Sequence, residues 1–121
     1  MIPLEEDKAR GIFTRLIKTL DYLHNTAKIV HRDIKLDNLI CDDAENFKLI
    51  DFCSAHSIAE SDYSIGTVGT CANMAPEIHR QDAKIRSRPL DIWAAGVTLY
   101  HILFGKIPFS GTKFTELASS I

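Results

Sequence analysis

The sequence predicts an α+β fold that is mainly α-helical, with a small β-hairpin and a buried central helix. Residues 3–24 carry apolar side chains at helical spacing, and residues 87–104 are apolar around nearly the whole helix circumference. Two short runs, 39–41 and 47–50, are apolar or β-branched and flank the polar stretch D-D-A-E-N. These observations indicate two long helices with one hairpin between them.

Composition and charge narrow the class of protein. The chain has 121 residues, 45% hydrophobic and 25% charged, which is typical of one soluble domain with a core. The formal charge is −2 and the basic residues are dispersed, so we expect no binding to nucleic acid. The longest apolar stretch, 92–104, is interrupted by polar residues and is shorter than the ~20 residues of a membrane span. We therefore expect no membrane contact.

The cysteines and histidines do not indicate a metal cluster. Cys41, Cys53 and Cys71 are an odd number without a C-x-x-C pair, which favours neither a disulfide framework nor a thiolate zinc site. The N-terminus lacks the pattern of a secretory signal, so a reducing cytoplasmic or nuclear location is expected. The histidines lack metal-ligand spacing, and all except His31 are predicted to lie at the surface or at helix ends.

The first helix is predicted over residues 3–24, ending at Asn25. Pro3 suits a first helical turn, and the acidic residues at 5–7 favour the positive end of the helix dipole. The apolar positions form one stripe: Ala9, Ile12, Phe13, Leu16, Ile17, Leu20 and Leu23. This helix is therefore expected to be scaffold.

Residues 30–52 contain the side chains that could take part in catalysis. Asp33 lies in H-R-D, Lys35 follows two positions later, Asn38 comes five residues after Asp33, and Asp51 heads a D-F pair. With M-A-P-E at 74–77 and D-x-W-A-x-G at 91–96, this ordered set resembles the catalytic loop and metal-binding turn of eukaryotic protein kinases. An unrelated helical domain would need a coincidence at four motifs.

The resemblance covers the whole chain and implies a partial protein kinase domain over residues 1–121, similar to the large, C-terminal lobe. It implies a catalytic loop at 31–38, an activation segment at 51–77 and a central helix at 87–104. The implied reaction moves the γ-phosphoryl group of ATP, with Mg²⁺, to a protein Ser or Thr hydroxyl. The position of Lys35 after Asp33 is that of the serine/threonine branch.

The resemblance also implies a role for each matching residue. Asp33 would orient the attacking hydroxyl and accept its proton, and Lys35 would bind the γ-phosphate. Asn38 and Asp51 would hold magnesium through oxygen, and the predicted hairpin would bring them together. Leu39 would contact the nucleotide.

Further residues of the implied site have supporting roles. His31 would pack against Phe52, and Thr70 would hydrogen-bond both Asp33 and Lys35. Asp91 would brace the backbone of the catalytic loop, and Glu77 would pair with a later arginine. Arg32 would meet a phosphate on the activation segment. The candidate hydroxyls, with Thr67 favoured, are Ser61, Tyr63, Ser64 and Thr67.

Three positions depart from the family pattern. Cys53 replaces the glycine of D-F-G, which puts the mobility of that turn and hence activity in doubt. The Cys53 thiol is expected to be inert. Asn73 stands where the family has Tyr or Phe in the floor of the substrate groove. His101 occupies a position that is acidic in many kinases selective for basic substrates, so no such preference is expected.

The second long helix is predicted over residues 87–104, with Ser87 as N-cap, Pro89 in the first turn and Gly105 after its end. Because it is apolar all round, it is expected to be buried, with Trp93 in the core. Strings such as V-G-T and F-G-K-I-P-F are most similar to the calcium/calmodulin-dependent protein kinase kinases.

Motifs of the small kinase lobe are not present in the sequence. No G-x-G-x-x-G and no V-A-I-K lysine occur, so we expect this chain alone to be inactive. We also expect a small lobe or a partner protein to cover an exposed apolar face. A pseudokinase or truncated lobe that docks other proteins is the alternative. Cys53 and Asn73 favour it, and retention of the four residues Asp33, Lys35, Asn38 and Asp51 argues against it.

Overall fold

A computed structural model describes residues 3–41, 46–64, 69–80 and 84–109. Three helices lie in these ranges: α1 (Glu6–Tyr22), α2 (Pro76–His79) and α3 (Ser87–Phe104). Six short strands accompany them, so the predicted mixture of helices with small antiparallel β-structure is confirmed. None of the helices within these ranges is long and apolar enough to cross a membrane.

The first helix differs from the prediction at both ends: it begins at Glu6, so Pro3 lies before the helix and not in its first turn. Ala9, Leu16 and Leu20 form its buried face, whereas Ile17 of the predicted stripe is exposed. The predicted end at Asn25 is wrong, because the chain continues from Tyr22 into one wider π-helical turn, Leu23–Ala27. Lys28 closes this turn in the left-handed conformation, with φ of 57°, and donates its N–H to the Leu23 carbonyl.

Three antiparallel pairs of strands surround the catalytic stretch. The predicted hairpin is confirmed: β2 (Leu39–Cys41) pairs with β3 (Phe47–Leu49), with Ile40 opposite Lys48. Two further pairs were not predicted. β1 (Ile29–Val30) pairs with β4 (His56–Ser57), and β5 (Tyr63–Ser64) pairs with β6 (Ile85–Arg86). Both pairs consist of two-residue strands, which are too short to produce an alternating sequence pattern.

The second long helix has the predicted bounds, but three details of the prediction are wrong. Arg86 is the N-cap, and Ser87 is already helical and fully buried. Ile92 and Phe104 are 52% and 56% exposed, so the helix is not buried all round. Trp93 is only partly buried and stacks on Phe109 at 5.8 Å. Gly105 ends the helix in the left-handed conformation, as expected of a C′ glycine.

Two clusters of buried side chains hold the catalytic stretch in place. The first lies between α1 and α3 and contains Leu16, Leu20, Leu23, Ile34, Ala94 and Ala95. The second lies between α2 and the start of α3 and contains Met74, Ala75, Ile78, Ile85 and Leu90. Ile34 belongs to the H-R-D-I-K string, so its burial fixes the catalytic loop against both long helices.

Candidate active site

The catalytic loop is anchored by its apolar residues and presents its polar ones. Val30 and Ile34 on either side of H-R-D are fully buried. Between and beyond them, the side chains of Asp33 and Lys35 remain 14% and 27% exposed. The short 3₁₀ turn Leu36–Asn38 then leads into β2. The loop therefore holds a carboxylate and an ammonium group at the surface on a rigid base.

Thr70 connects the carboxylate and the ammonium group. Its hydroxyl donates to Asp33 Oδ1 at 2.9 Å and accepts a hydrogen bond from Lys35 Nζ at 2.9 Å. Its backbone N–H also donates to Asp33 Oδ1, at 3.1 Å. The contacts that the resemblance implied for Thr70 are thus present. Among the described residues, the contacts of Asp33 Oδ2 are longer: 3.5 Å to Asn38 Nδ2 and 3.8 Å to Lys35 Nζ.

Asn38 is oriented by the loop itself. The Nδ2 atom of its buried side chain donates a hydrogen bond to the Asp33 carbonyl at 2.8 Å. The amide oxygen, Oδ1, does not take part in this bond. The Ile50 N–H donates to the Asn38 carbonyl at 2.9 Å, so the chain that enters Asp51 runs alongside Asn38. The predicted proximity of these two chain segments is therefore observed.

Asp51 is suited to bind a hard cation. Its side chain is exposed, and its backbone is left-handed with φ of 62°. Hydrogen bonds from the side chain and the backbone N–H of Cys53 lower the pKa of Asp51, so the carboxylate is ionised at neutral pH. A carboxylate and an amide oxygen fit Mg²⁺, which is held in proteins by few protein ligands together with phosphates and water. The described ranges contain no cluster of three or more His, Cys, Asp or Glu side chains able to hold a metal.

His31 has one tautomer because of its two partners. Its Nδ1 accepts the Asp33 N–H at 3.1 Å, so that nitrogen carries no proton. Its Nε2 therefore donates to the Ile50 carbonyl, at 2.9 Å. The ring also contacts Phe52 edge-on, with the centroids 4.7 Å apart, as the resemblance implied. His31 thus links the catalytic loop to the D-F turn.

The side chain of Asp91 in α3 binds backbone amides of the catalytic loop. The fully buried carboxylate accepts the N–H of His31 and of Arg32, each at 2.9 Å. It also accepts a hydrogen bond from His24 Nε2 at 2.8 Å. The prediction that His24 is a surface or capping residue is therefore wrong: its side chain is 7% exposed. His79, given the same prediction, is also buried.

Arg32 is held in an unusual backbone conformation beside the activation segment. Its φ is 69°, and its Nε donates to the Ser54 carbonyl at 2.6 Å. Burial lowers the pKa of Arg32, opposed by the negative charge of Asp91. The pKa of His56 is also lowered, by burial and then by the nearby charge of Arg32. The positive charge in this region is therefore that of Arg32, whereas the lowered pKa keeps His56 mainly neutral at neutral pH.

The predicted phosphate acceptors are only partly described. Thr67 lies outside the described residues, so its role stays a prediction. Ser64 is 8% exposed and shares a 2.7 Å hydrogen bond with Ser87 Oγ, an environment that does not suit a phosphate acceptor. Ser61 and Tyr63 are exposed. The structure therefore disfavours one of the four candidates.

Gly69 is a functional position that the sequence reasoning missed. Its φ of 101° is strained for any residue with a side chain, and a β-carbon there would overlap the Arg32 carbonyl oxygen. Gly69 precedes Thr70, so the close approach allows the Thr70 hydroxyl to reach Asp33. A glycine directly before a predicted catalytic contact is the signal that could have identified it.

The remaining predicted residues lie around this centre. Cys53 is exposed, and the hydrogen bond and negative charge of Asp51 raise the pKa of its thiol. Leu39 in β2 is partly buried against the first cluster. Asn73 lines a small cavity together with Asp33 and Thr70. Glu77 lies in the first turn of α2, and no ion pair of Glu77 with a basic residue is found within the described ranges.

In the candidate site, the hydroxyl of Thr70 bonds both the Asp33 carboxylate and the Lys35 ammonium group, two charged groups of the kind that phosphoryl transfer uses. The protein kinase domain family matches residues 1–121, so the chain belongs to the protein kinase family.

Similar proteins include serine/threonine kinases from distant organisms. Serine/threonine-protein kinase ppk34 of Schizosaccharomyces pombe is 36% identical over 98% of the chain, and the chain spans 34% of its length. A calcium/calmodulin-dependent protein kinase kinase of Caenorhabditis elegans is 42% identical over 98% of the chain, which spans 22% of it. A carbon catabolite-derepressing protein kinase of Secale cereale is 34% identical over 98% of the chain, which spans 23% of it. The chain thus spans between 22% and 34% of the length of these relatives.

Proposed function

We propose that the chain is the large-lobe part of a serine/threonine protein kinase, which transfers the γ-phosphoryl group of ATP to a Ser or Thr hydroxyl of a protein. The observation that carries this proposal is the Asp33–Thr70–Lys35 arrangement, in which one hydroxyl bonds both charged groups at 2.9 Å. The serine/threonine kinase named among the similar proteins supports the choice of hydroxyl.

The two oxygens of Asp33 have different tasks in this proposal. Oδ1 is occupied by two hydrogen bonds from Thr70, which fix the plane of the carboxylate. Oδ2 has no contact shorter than 3.5 Å from a side chain within the described ranges. It is therefore the oxygen that accepts the proton of the attacking hydroxyl.

Lys35 and the oxygen ligands hold the phosphates. Lys35 Nζ is kept near Asp33 by Thr70, so it places a positive charge where the transferred phosphoryl group passes. Asn38 Oδ1 and the ionised Asp51 would hold Mg²⁺, which would supply positive charge to offset that of the ATP phosphates. Leu39, at the start of β2, would contact the nucleotide.

The decisive experiment compares two changes of the same kind in the full-length protein. Asp33→Asn removes the proton acceptor, and we expect the transfer of radiolabelled phosphate from ATP to Ser/Thr peptides to fall about 10²–10⁴-fold. Asp21→Asn makes the same change on an exposed carboxylate of α1 and is the control. Equal activity of the two variants would contradict the proposal.

A protein-docking role without phosphoryl transfer is the second candidate. It is favoured by the engagement of the Asp51 carboxylate by Cys53, the residue that replaces a family glycine. Asp51→Ala in the full-length protein separates the two candidates. Loss of both phosphorylation and cellular function supports the enzyme, whereas unaltered cellular function supports docking.

A further inference from the structure

The central helix α3 begins without a capping bond from its own N-cap residue. The side chain of Arg86 makes no such bond, and the first turn of the helix contains no acidic residue. The first N–H groups of a helix have no partner within the helix and need an acceptor elsewhere. Pro89, the third helical residue, has no N–H, so Ser87 and Arg88 carry the N–H groups of the first three positions.

Asp62 of the activation segment accepts both of these hydrogen bonds. Its carbonyl oxygen accepts the Ser87 N–H at 3.1 Å, and its carboxylate oxygen Oδ1 accepts the Arg88 N–H at 3.3 Å. A side-chain oxygen that binds the N–H of the second helical residue has the role of an N-cap, and its negative charge suits the positive end of the helix dipole. The activation segment therefore supplies the cap of α3.

Two arginines bind the other oxygen of the same carboxylate. Asp62 Oδ2 accepts a hydrogen bond from Arg86 Nη2 at 3.2 Å and lies 3.6 Å from Arg88 Nε. The Asp62 side chain is 16% exposed, whereas that of Arg86 is 65% exposed, so dissolved salt reaches this ion pair and can screen it. We call these contacts of Asp62 with Arg86, Ser87 and Arg88 the Asp62 junction.

Neighbouring contacts join the same two parts of the chain. The β5–β6 pair places Tyr63 opposite Arg86, and the guanidinium lies 5.9 Å from the centre of the Tyr63 ring. The hydroxyls of Ser64 and Ser87, both buried, share a 2.7 Å hydrogen bond. The Asp62 junction thus stands at the edge of a continuous set of contacts between the activation segment and the start of α3.

The start of α3 also supports the candidate site. Ile85, before the helix, and Leu90, near its beginning, pack with Met74 in the second cluster. Met74 in turn lines the small cavity that Asp33 and Thr70 share. Loosening of the first turn of α3 would therefore reach the part of the activation segment beside the candidate site.

We propose that Asp62 is a charge-dependent latch: it caps α3 from the activation segment, so that residues 62–64 and the first turn of α3 are held or released together. The latch is closed while the carboxylate is paired with the helix N–H groups and the arginines, and loss or screening of its charge favours release. The coupling itself does not depend on the proposed kinase function, whereas its influence on phosphoryl transfer does.

Hydrogen exchange of the Ser87 and Arg88 amides in the full-length protein tests the cap. Asp62→Ala removes the carboxylate that Arg88 binds and leaves the carbonyl that Ser87 binds. Because the latch releases both together, we expect both amides to exchange about 2–30-fold faster, the range that loss of an N-cap produces. Glu60→Ala removes an exposed carboxylate from the same segment and should leave both rates unchanged.

Salt dependence tests the role of the charge. Asp62→Asn keeps a capping oxygen but has no charge. Raising the ionic strength to about 1 M shortens the Debye length to about 3 Å, so we expect faster exchange of both amides in the unaltered protein and no such change in Asp62→Asn. If Asp62→Ala does not fold, this comparison still tests the latch, because asparagine is as good an N-cap residue as aspartate.

The outcomes are distinct. Equal exchange in Asp62→Ala and Glu60→Ala overturns the latch, as does faster exchange of the Arg88 amide with an unchanged Ser87 amide. An equal response to salt in Asp62→Asn and in the unaltered protein overturns the role of the charge. If Asp33→Asn leaves phosphoryl transfer intact, the proposed kinase function fails, and the two exchange rates still decide whether Asp62 is a latch.

Discussion

Gly69 lies so close to the carbonyl oxygen of Arg32 that no β-carbon fits between the activation segment and the catalytic loop. The contact joins two segments that the sequence separates by more than thirty residues. It also sets the position of the next residue, Thr70, whose hydroxyl bonds Asp33.

Gly69→Ala is expected to displace the activation segment and to lower both stability and activity. The left-handed backbone alone costs an alanine about 1–2 kcal/mol, and the overlap with Arg32 adds to it. Gly11→Ala is the matched control: Gly11 lies within α1 with open space around it, so alanine there should stabilise the helix by about 1 kcal/mol. Denaturant unfolding and peptide phosphorylation measure both effects. Equal unfolding curves for the two variants would refute the argument.

The hydroxyl of Thr70 is expected to matter more than its methyl group. Thr70→Ser keeps the bonds to Asp33 and Lys35 and should keep most activity, whereas Thr70→Val should lower kcat about tenfold or more, since hydrogen bonds to charged groups contribute about 1.5–3 kcal/mol. Thr14→Val removes an exposed hydroxyl from α1 and should have no effect on kcat. Steady-state kinetics of the three variants provide the measurement. A fully active Thr70→Val enzyme would contradict the assigned role.

The thiol of Cys53 is expected to react slowly with alkylating agents. Asp51 raises the pKa of the Cys53 thiol, so less thiolate is present at a given pH. The alkylation rate therefore begins to rise at a higher pH. Asp51→Asn removes the charge and should move that rise to lower pH. Peptide mass spectrometry after timed alkylation follows Cys53, with the exposed Cys71 of the same protein as internal reference. Identical pH profiles of Cys53 in the two proteins would show that Asp51 does not control the thiol.

His56 is expected to make stability depend on pH. Its pKa in the folded chain is lowered by burial and by Arg32, so the unfolded chain binds more protons. Stability is therefore lost as pH falls from about 6.5, the ordinary histidine pKa, toward the lowered folded value. His56→Gln should reduce this loss, and His101→Gln on α3 is the control. The free energy of unfolding, measured with urea at several pH values, tests this prediction. If that free energy changes with pH equally in His56→Gln and in the unaltered protein, the mechanism is contradicted.

The long helices could be predicted from the sequence because their periodicity is averaged over several turns. α1 and α3 were found within a few residues of their bounds, and the β2–β3 hairpin followed from a short polar turn between apolar runs. The strands β1, β4, β5 and β6 could not be predicted, because each is two residues long and depends on a partner distant in sequence. Local patterns contain no information about such pairing.

The residues of the candidate site were likewise predicted in part and missed in part. The spacing of Asp33, Lys35, Asn38 and Asp51 identified the chemical groups, since their positions in the chain are themselves the signal. His24 was missed because its burial depends on a wider helical turn, which its neighbours in sequence do not reveal.

The pairing of β4 with β1 and of β5 with β6 divides the activation segment into short spans. Within the described residues, the Arg32 bond to the Ser54 carbonyl and the Thr70 contact to Asp33 hold the segment at further points along its length. A segment held in this way opens piecewise, because each fastening involves only a few hydrogen bonds and can break while the others persist. Partial opening at one end therefore needs only a fraction of the free energy that release of the whole segment would require, so the two ends of the segment can open on separate timescales.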